Sequence, residues 1–470
     1  MIAPSRPERV ILGFVSTSLP LVPGARARAR LAAGKALRAS VPRSRHGGWT
    51  VPAGRADPVA VVEASNAGRL ERLVPIRMGR MAESAFGFYR GAAAIMAADL
   101  AHTPVSGLNV QLSGDAHCMN FGGFATPERH LLFDINDFDE TMSGPWEWDL
   151  KRLVTSIVIA ARHNAFSARN AKVAALAATQ AYRMRMQELA AESALEVWYA
   201  RLDAAKILEA ARSAGARRRR GRIRDEAATD SVRAAVAKFT RIVDGARRFV
   251  DDPPLLYHST DTDDDDFDVA EIVGTYAWNL PPDVQVLLER YTLLDAAIKV
   301  VGVGSVGTRC AVALFGADDD DAFILQIKEA MPSVLSAYLG PSEYENHGER
   351  VVRGQRIMQA ASDVFLGWAQ SGTRSFYVRQ FRDMKTSADL EAMDPYQLRE
   401  YAHYCAWALA GAHARSGDAA AIAGYAGKST VLDRALLGFA LAYADQNQRD
   451  YERFAASVKS AAPVATPAPA

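Results

Sequence analysis

The chain has 470 residues, 49% hydrophobic and 23% charged, with a formal net charge of +1; this is an ordinary globular composition with no global pull toward nucleic acid or anionic membrane. Three widely spaced cysteines, Cys118, Cys310 and Cys405, argue against a disulfide framework or a cysteine-based zinc site, and they fit a reducing compartment such as the cytoplasm. No stretch approaches the roughly 20 apolar residues that a spanning helix needs.

Up to Arg55 the chain holds ten Lys/Arg against one acidic residue, Glu8, which marks 1–57 as a basic leader, partly disordered and solvated. Its apolar run at 10–22 is broken by Ser, Thr and Pro and only faintly mimics a signal peptide. From 58 to 102, Val59, Val62, Met78, Met81, Ala85 and Phe88 recur by threes and fours, a helical spacing. Short apolar runs between Gly and Pro predict strands and loops over 107–150, and the Ala-rich 150–198 predicts helix. The charge blocks Arg217–Arg220 and Asp263–Asp266 read as solvated surface. A helix at 285–298 should lead into three strands, IKVVGVGSVGTRC, AVALFG and AFILQIKEA, with an acidic turn at 316–321 between the last two. A helix at 342–361, a strand FYVRQF at 376–381, helices over most of 395–456 and a disordered Pro/Ala tail complete the chain. The units expected are 1–57, a large helical region 58–285, a β-rich region 286–385, helices 386–458 returning to the large region, and the tail 459–470.

The densest chemistry lies in Gly114-Asp115-Ala-His117-Cys-Met-Asn120-Phe-Gly122 and Phe133-Asp134-Ile-Asn-Asp137-Phe-Asp139-Glu140. Asp, His and Asn beside glycines suit a loop where side chains converge. Alternation in the second segment would put Asp137 and Asp139 on one face at a strand end. Such carboxylates and amides are hard oxygen ligands suited to magnesium that also holds phosphates. The competing reading makes Asp115 and Asn120 helix caps or Asx turns. A further one has Asp115, His117, Asp137 and Asp139 binding two metals in a hydrolase.

Gly302-Val-Gly304-Ser305-Val-Gly307 fits G-x-G-x-x-G, but it runs into a strand and lacks a following Gly-Lys-Ser/Thr, which excludes a Walker A loop. Strand, glycine loop, strand, turn and a strand bearing Lys328 is the order of a kinase small lobe, where loop amides and lysine neutralise phosphate charge. A glutamate on the next helix should then pair with Lys328, and Glu349 is preferred over Glu343 and Glu345. The alternative is a bulged hairpin with a surface lysine.

The five-residue step from Asp115 to Asn120, with Asp137 after them, matches the spacing of kinase catalytic loops. The Gly-Asp-x-His-x-x-Asn segment resembles the loop of aminoglycoside and choline kinases. Because the aspartates precede the lysine, the resemblance implies an α+β, two-lobed protein-kinase-like fold with permuted lobe order and additional helices, with the helix at 395–415 returning beside 107–120. From about residue 55 the chain also resembles a bacterial family, domain of unknown function 2252. The resemblance runs through Pro75–Met81, Phe86–Gly91, Gly114–Gly122, Phe133–Asp149, Gly304–Arg309, Gln326–Ala330, Glu349–Arg356, Tyr377–Gln380 and His413–Asp418, and it implies no established reaction. Arg77, Arg80, Arg90, Arg309, Arg356 and Arg379 in these segments could hold anions, although pairing with Asp139, Glu140 or Asp149 is favoured. Asp149 reads as a buried organiser.

The expectation is an ATP- and Mg2+-dependent phosphotransferase acting on a small-molecule or protein acceptor, with no specific nucleic acid and no membrane span. Asp115 would orient or deprotonate the acceptor hydroxyl, beside His117. Asn120, Asp137 and Asp139 would hold Mg2+. Gly302, Gly304, Ser305, Gly307, Lys328 and Glu349 would bind the nucleotide. The alternatives are a nucleotide-binding regulator without turnover and a two-metal phosphoester hydrolase.

Overall fold

The computed structural model describes residues 27–203, 207, 232–258, 267–300, 302, 304–318, 321–381 and 386–461. The 10–22 run, the Arg217–Arg220 and Asp263–Asp266 blocks, Asp319 and Asp320 of the acidic turn, and the Pro/Ala tail lie outside the described residues. The protein is α+β, a helical body joined to an antiparallel sheet.

The helical body forms around Trp146–His163, whose residues 146–161 are all buried. A helix buried on every side lies at the centre of a bundle, and its Glu147, Asp149, Lys151 and Arg152 must find partners inside it. Ala168–Leu189, Pro395–Ser416 and Val431–Ala461 surround it. Ala171, Ala174 and Ala178 share one buried cluster with Ala402, Ala406 and Ala410, and side chains this small let the helix axes come close. Asp394 starts the Pro395–Ser416 helix with a full capping box and Pro395 in the first turn, the arrangement that satisfies exposed N–H groups at a helix start. No described helix is long and apolar enough to cross a membrane.

The leader expectation needs correction from residue 27 onward. Ala27–Ala36 is a helix packed against Ala419–Ala426, so closely that a Cβ on Gly34 would run into the carbonyl of Ala421. Arg38 Nε donates to Tyr425 O at 2.9 Å and Arg43 Nη1 to Ala426 O at 2.7 Å. These guanidinium groups satisfy carbonyls at the end of a helix, where cations are favoured. Arg38 and Arg43 thus serve an internal contact, whereas Arg28, Lys35 and Arg45 stay exposed.

The sheet has six strands in the order 367–371, 374–380, 321–330, 310–318, 292–299, 256–257, each antiparallel to its neighbour. Both faces are covered. Ala311, Ala313, Phe315, Leu325 and Ile327 pack with Ile272 and Tyr276 of the helix Val269–Asn279. Val312, Leu314 and Ile324 pack with Val236 of the helix Val232–Phe239. Double coverage explains why AVALF is continuously apolar. The sheet therefore draws on residues before 286 as well as on 286–385. Two boundaries also move. The helix expected at 285–298 is Pro282–Leu288, and the strand expected from 298 is Thr292–Lys299, which ends before the glycine loop because Gly302 takes a φ of +72°. The helix at 342–361 is His347–Met358.

Candidate functional site

One wall of the site is built from residues 113–149. Asp149, in the first turn of Trp146–His163, is 1% exposed and accepts the N–H of Ser113 at 2.7 Å and of Gly114 at 3.0 Å. His413 Nε2 lies 3.3 Å from the same carboxylate, and its Nδ1 is 2.8 Å from the Tyr182 hydroxyl. Asp149 thus organises the loop from behind. Gly114 has a φ of +80°, and a Cβ there would meet the Glu140 carbonyl, so glycine is required on both counts.

Beyond this pivot the chain forms the hairpin Phe121–Ala125/Leu131–Ile135. Phe121 pairs with Ile135, and Asn136 N donates to Asn120 O at 3.0 Å. That register brings Asn120 and Asp137 to the same end of the hairpin. Asn120 Nδ2 closes the loop onto Asp115 O at 2.9 Å. Asp137 and Asp139 do not sit on a strand face as alternation predicted. The strand stops at Ile135, and Asp137 Oδ1 accepts the N–H of Asp139 at 3.2 Å, an Asx-type turn that ends strand pairing.

Asp115 is paired with buried Arg152, whose Nε lies 2.5 Å from Oδ1. Its Oδ2 is 3.7 Å from His117 Nε2. Burial pushes the Asp115 carboxyl up to about 7, Arg152 opposes this, and Asp137 adds to it. Burial, then Arg152 and Arg90, push His117 well below the ordinary imidazole value. Asp137 is raised by burial and by Asp139.

The other wall is the sheet. Lys328 faces Tyr377 across neighbouring strands, and Gln326 faces Arg379; antiparallel register puts all four side chains on one face. Lys328 Nζ donates to Asp139 Oδ2 at 2.7 Å, the Tyr377 hydroxyl donates to Oδ1 at 2.6 Å, and Ser305 Oγ is 3.3 Å from Oδ2. Burial would raise Asp139, but Lys328 and the hydrogen bonds outweigh it and hold the carboxyl down at about 2. Burial disfavours the Lys328 ammonium, yet Asp139 overrides it and the pKa rises. Arg379 Nε donates to Gln326 Oε1 at 3.1 Å.

The 302–307 loop joins the strands Thr292–Lys299 and Cys310–Asp318. Gly302 and Gly307 have φ of +72° and +90°. Residues 69–80 hold it: Leu70 N donates to Gly307 O at 2.7 Å, Arg69 Nη1 to Val306 O at 2.7 Å, and Arg80 Nη1 to Gly302 O at 2.5 Å. Ser305 and Gly304 therefore lie at the site, with Gly304 against the carbonyl of Arg90.

Glu349 does not pair with Lys328. It lies one turn from Arg353 on the helix His347–Met358 and accepts Arg353 Nε at 2.6 Å, an ordinary i,i+4 pair. Asp139 takes the partner's place beside Lys328. The helix instead sends buried Arg350 toward the site, donating to the carbonyls of Thr141, Asp139 and Met331. Most arginines singled out by motif also meet carbonyls rather than Asp139, Glu140 or Asp149. Arg77 reaches Gly91 O, Arg356 reaches Leu366 O, and Arg309 reaches Gly68 O together with Glu329. Among the described residues, no group of three or more His, Cys, Asp or Glu is arranged to hold a metal, so the two-metal set of Asp115, His117, Asp137 and Asp139 is not assembled. Sequence reasoning missed Arg152, Tyr377 and Arg350. Tyr377 had a signal in its apolar strand, but its facing Lys328 depends on register.

Residues 69–457, well over half of the chain, match the family described as an uncharacterized protein conserved in bacteria (DUF2252), and the chain belongs to that family. No curated protein and no solved structure matches it.

Proposed function

We propose that this member of the family is an ATP- and Mg2+-dependent phosphotransferase, with a kinase-like pair of lobes in permuted order, acting on a hydroxyl of a small-molecule or protein acceptor. One observation carries the reading. Lys328 and Asp139, 189 residues apart, meet in an ion pair beneath Ser305 of a glycine loop. A lysine on the strand after such a loop suits the neutralisation of phosphate oxygens.

Oxygen donors face it. Burial raises the carboxyl pKa of both Asp115 and Asp137; Asp137 adds to the rise at Asp115, despite its Arg152 partner, and Asp139 adds to the rise at Asp137. That marks negative charge in excess of its local compensation, which a divalent cation would relieve. Asp137 and Asn120 are the residues that would hold Mg2+, and the ion would supply charge neutralisation on the phosphates. Asp139 is occupied at both oxygens by Lys328 and Tyr377, so it serves better as counter-ion of Lys328 than as a metal ligand.

Asp115 is suited to general-base work because a carboxyl near 7 can both accept and return a proton at neutral pH. Arg152 engages Oδ1 and leaves Oδ2 to the acceptor. In the transfer, the acceptor hydroxyl loses its proton to Asp115 as its oxygen forms the bond to the γ-phosphorus. The bond from that phosphorus to the bridging oxygen breaks, and the electron pair leaves with the nucleoside diphosphate. A second reading, nucleotide binding without turnover, is favoured by the same Arg152 contact if the guanidinium holds Asp115 ionised but unable to take a proton.

Thermal melts of the full chain with ATP, with and without Mg2+, test the binding. Magnesium-dependent stabilisation that disappears in Lys328→Ala is expected, and an unresponsive wild-type protein rules the proposal out. Labelled ATP incubated with pooled hydroxyl acceptors then separates the readings. Transfer lost in Asp115→Asn with retained ATP binding supports the kinase, and binding without any transfer supports the regulator.

A further inference from the structure

The buried cations of this protein divide by what they touch. Arg152 has Asp115, Lys328 has Asp139, and Arg55 has both Asp99 and Asp450. Arg350 has three carbonyls, and Arg77 has Ser65, Asn66 and Gly91. Arg90 differs. It lies on the short helix Ala85–Gly91, partly buried, with its guanidinium 6.0 Å from the Phe86 ring centroid. Among the described residues it forms no hydrogen bond and no ion pair, and its Nε is buried without a partner. A guanidinium offers five donors, and burying its Nε–H without an acceptor is costly.

Its neighbourhood narrows what would satisfy it. The charge of Arg90 bears on Asp115, His117 and Cys118, so it stands on the acidic-loop side. His117 is 4% exposed, and its Nδ1 is also buried with no partner. The carbonyl of Arg90 packs against Gly304, which puts the residue where the glycine loop meets the Asp115 loop. The two side chains with these unpartnered nitrogens thus both bear on one carboxylate, Arg90 through its charge and His117 through its Nε2 at 3.7 Å from Oδ2.

We propose that Arg90 and His117 form an anion-binding subsite beside Asp115 for a carboxylate or phosphate of the acceptor, making the acceptor a hydroxyl-bearing acid and not a neutral sugar or alcohol. The inference rests on the phosphotransfer reading for the word acceptor, while the subsite itself stands on the unpartnered groups. An Arg beside the base fixes the distance from the anionic group to the reacting hydroxyl, which is the positioning a hydroxy acid needs.

Thermal melts of the full chain with inorganic phosphate or malonate, and separately with ADP–Mg2+ or ATP–Mg2+, test this in wild type, Arg90→Gln and Arg90→Lys. Saturable stabilisation by phosphate or malonate is expected in wild type. It should weaken at least about tenfold in apparent affinity in Arg90→Gln and less in Arg90→Lys, with the ADP–Mg2+ response unchanged. Preference for one probe tells a phosphate subsite from a carboxylate one. Without ligand, Arg90→Gln should melt no lower than wild type, because it removes an uncompensated charge; a lower melt overturns the claim that Arg90 lacks a partner. A wild type indifferent to both anions, or an Arg90→Gln variant that responds as wild type does, overturns the subsite. If Arg90→Gln weakens ATP–Mg2+ more than ADP–Mg2+, the group holds the donor's terminal phosphate and the acceptor assignment fails. If no nucleotide acts while phosphate still stabilises through Arg90, the phosphotransfer reading fails and the anion subsite survives.

Discussion

The two walls of the site each hold an aspartate against a buried cation, with opposite results. On the loop wall, Asp115 meets Arg152 at Oδ1 and its carboxyl is pushed up to about 7. On the sheet side, Asp139 meets Lys328, Tyr377 and Ser305 through both oxygens and is held down at about 2. Both are partly buried and both have a cation. What differs is the number of donors to the ionised form and the company of other acids, since Asp137 presses on Asp115 from the same wall. A cation alone does not fix a carboxylate's ionisation; saturation of its oxygens does. One wall is thereby poised to exchange a proton, and the other to keep its charge.

Measurements of transfer and of unfolding can break or sharpen this contrast. The largest effect falls on the proposed transfer: Asp115→Asn should lower it by about 10²–10⁴-fold, the range for loss of a general base. In wild type the rate should rise roughly tenfold per pH unit below about 7 and level off above it. A flat profile, or an active Asn variant, removes Asp115 from the chemistry. The stability signs also oppose each other. Asp115 is raised, so its contribution is full below the ordinary carboxylate pKa and is lost as pH rises through about 7. Asp139 is lowered, so its contribution is present above the ordinary value and is lost as pH falls toward about 2. Urea melts of Asp115→Asn and Asp139→Asn against wild type at several pH values read this directly.

Next in size, Lys328→Met should cost about 3 kcal/mol in urea unfolding, because it leaves a partly buried carboxylate without its cation. Adding Asp139→Asn should recover much of the loss. If the single variant is as stable as wild type, Asp139 is not held by Lys328. Gly114→Ala should cost about 2–3 kcal/mol, from a left-handed φ and the encounter with the Glu140 carbonyl. It should also shift the Asp115 limb of the pH profile while leaving nucleotide stabilisation intact. The smallest change is Ser305→Ala, where losing a 3.3 Å contact on an already saturated carboxylate should cost about 0.5 kcal/mol in the same unfolding assay. A cost near that of Lys328→Met would show that Ser305 holds the loop itself.

Much of this architecture was legible in the residues. Glycine, carboxylate and amide spacing located the 114–140 loop, and a short apolar run located the strand that bears Lys328. Glu349 shows where that reading stopped. Helical spacing offered Arg353 four residues away just as plainly, but a kinase-like order drew attention to a distant lysine. Residues 27–47 show another limit, since basic composition describes solvated arms and helix-capping arginines alike. Arg38 and Arg43 are told apart from the former only by the carbonyls of residues 425 and 426.

The sequence by itself determined which side chains could do chemistry and which strongly patterned segments would be helix or strand, because these follow from local spacing and backbone preference. Tertiary structure alone decided that Asp139, not Glu349, faces Lys328. It also decided that Tyr377 stands beside them and that Arg90 is left unpartnered. Those outcomes depend on strand register and on how the loop and sheet walls meet, which are long-range packing results that no stretch of neighbouring residues encodes.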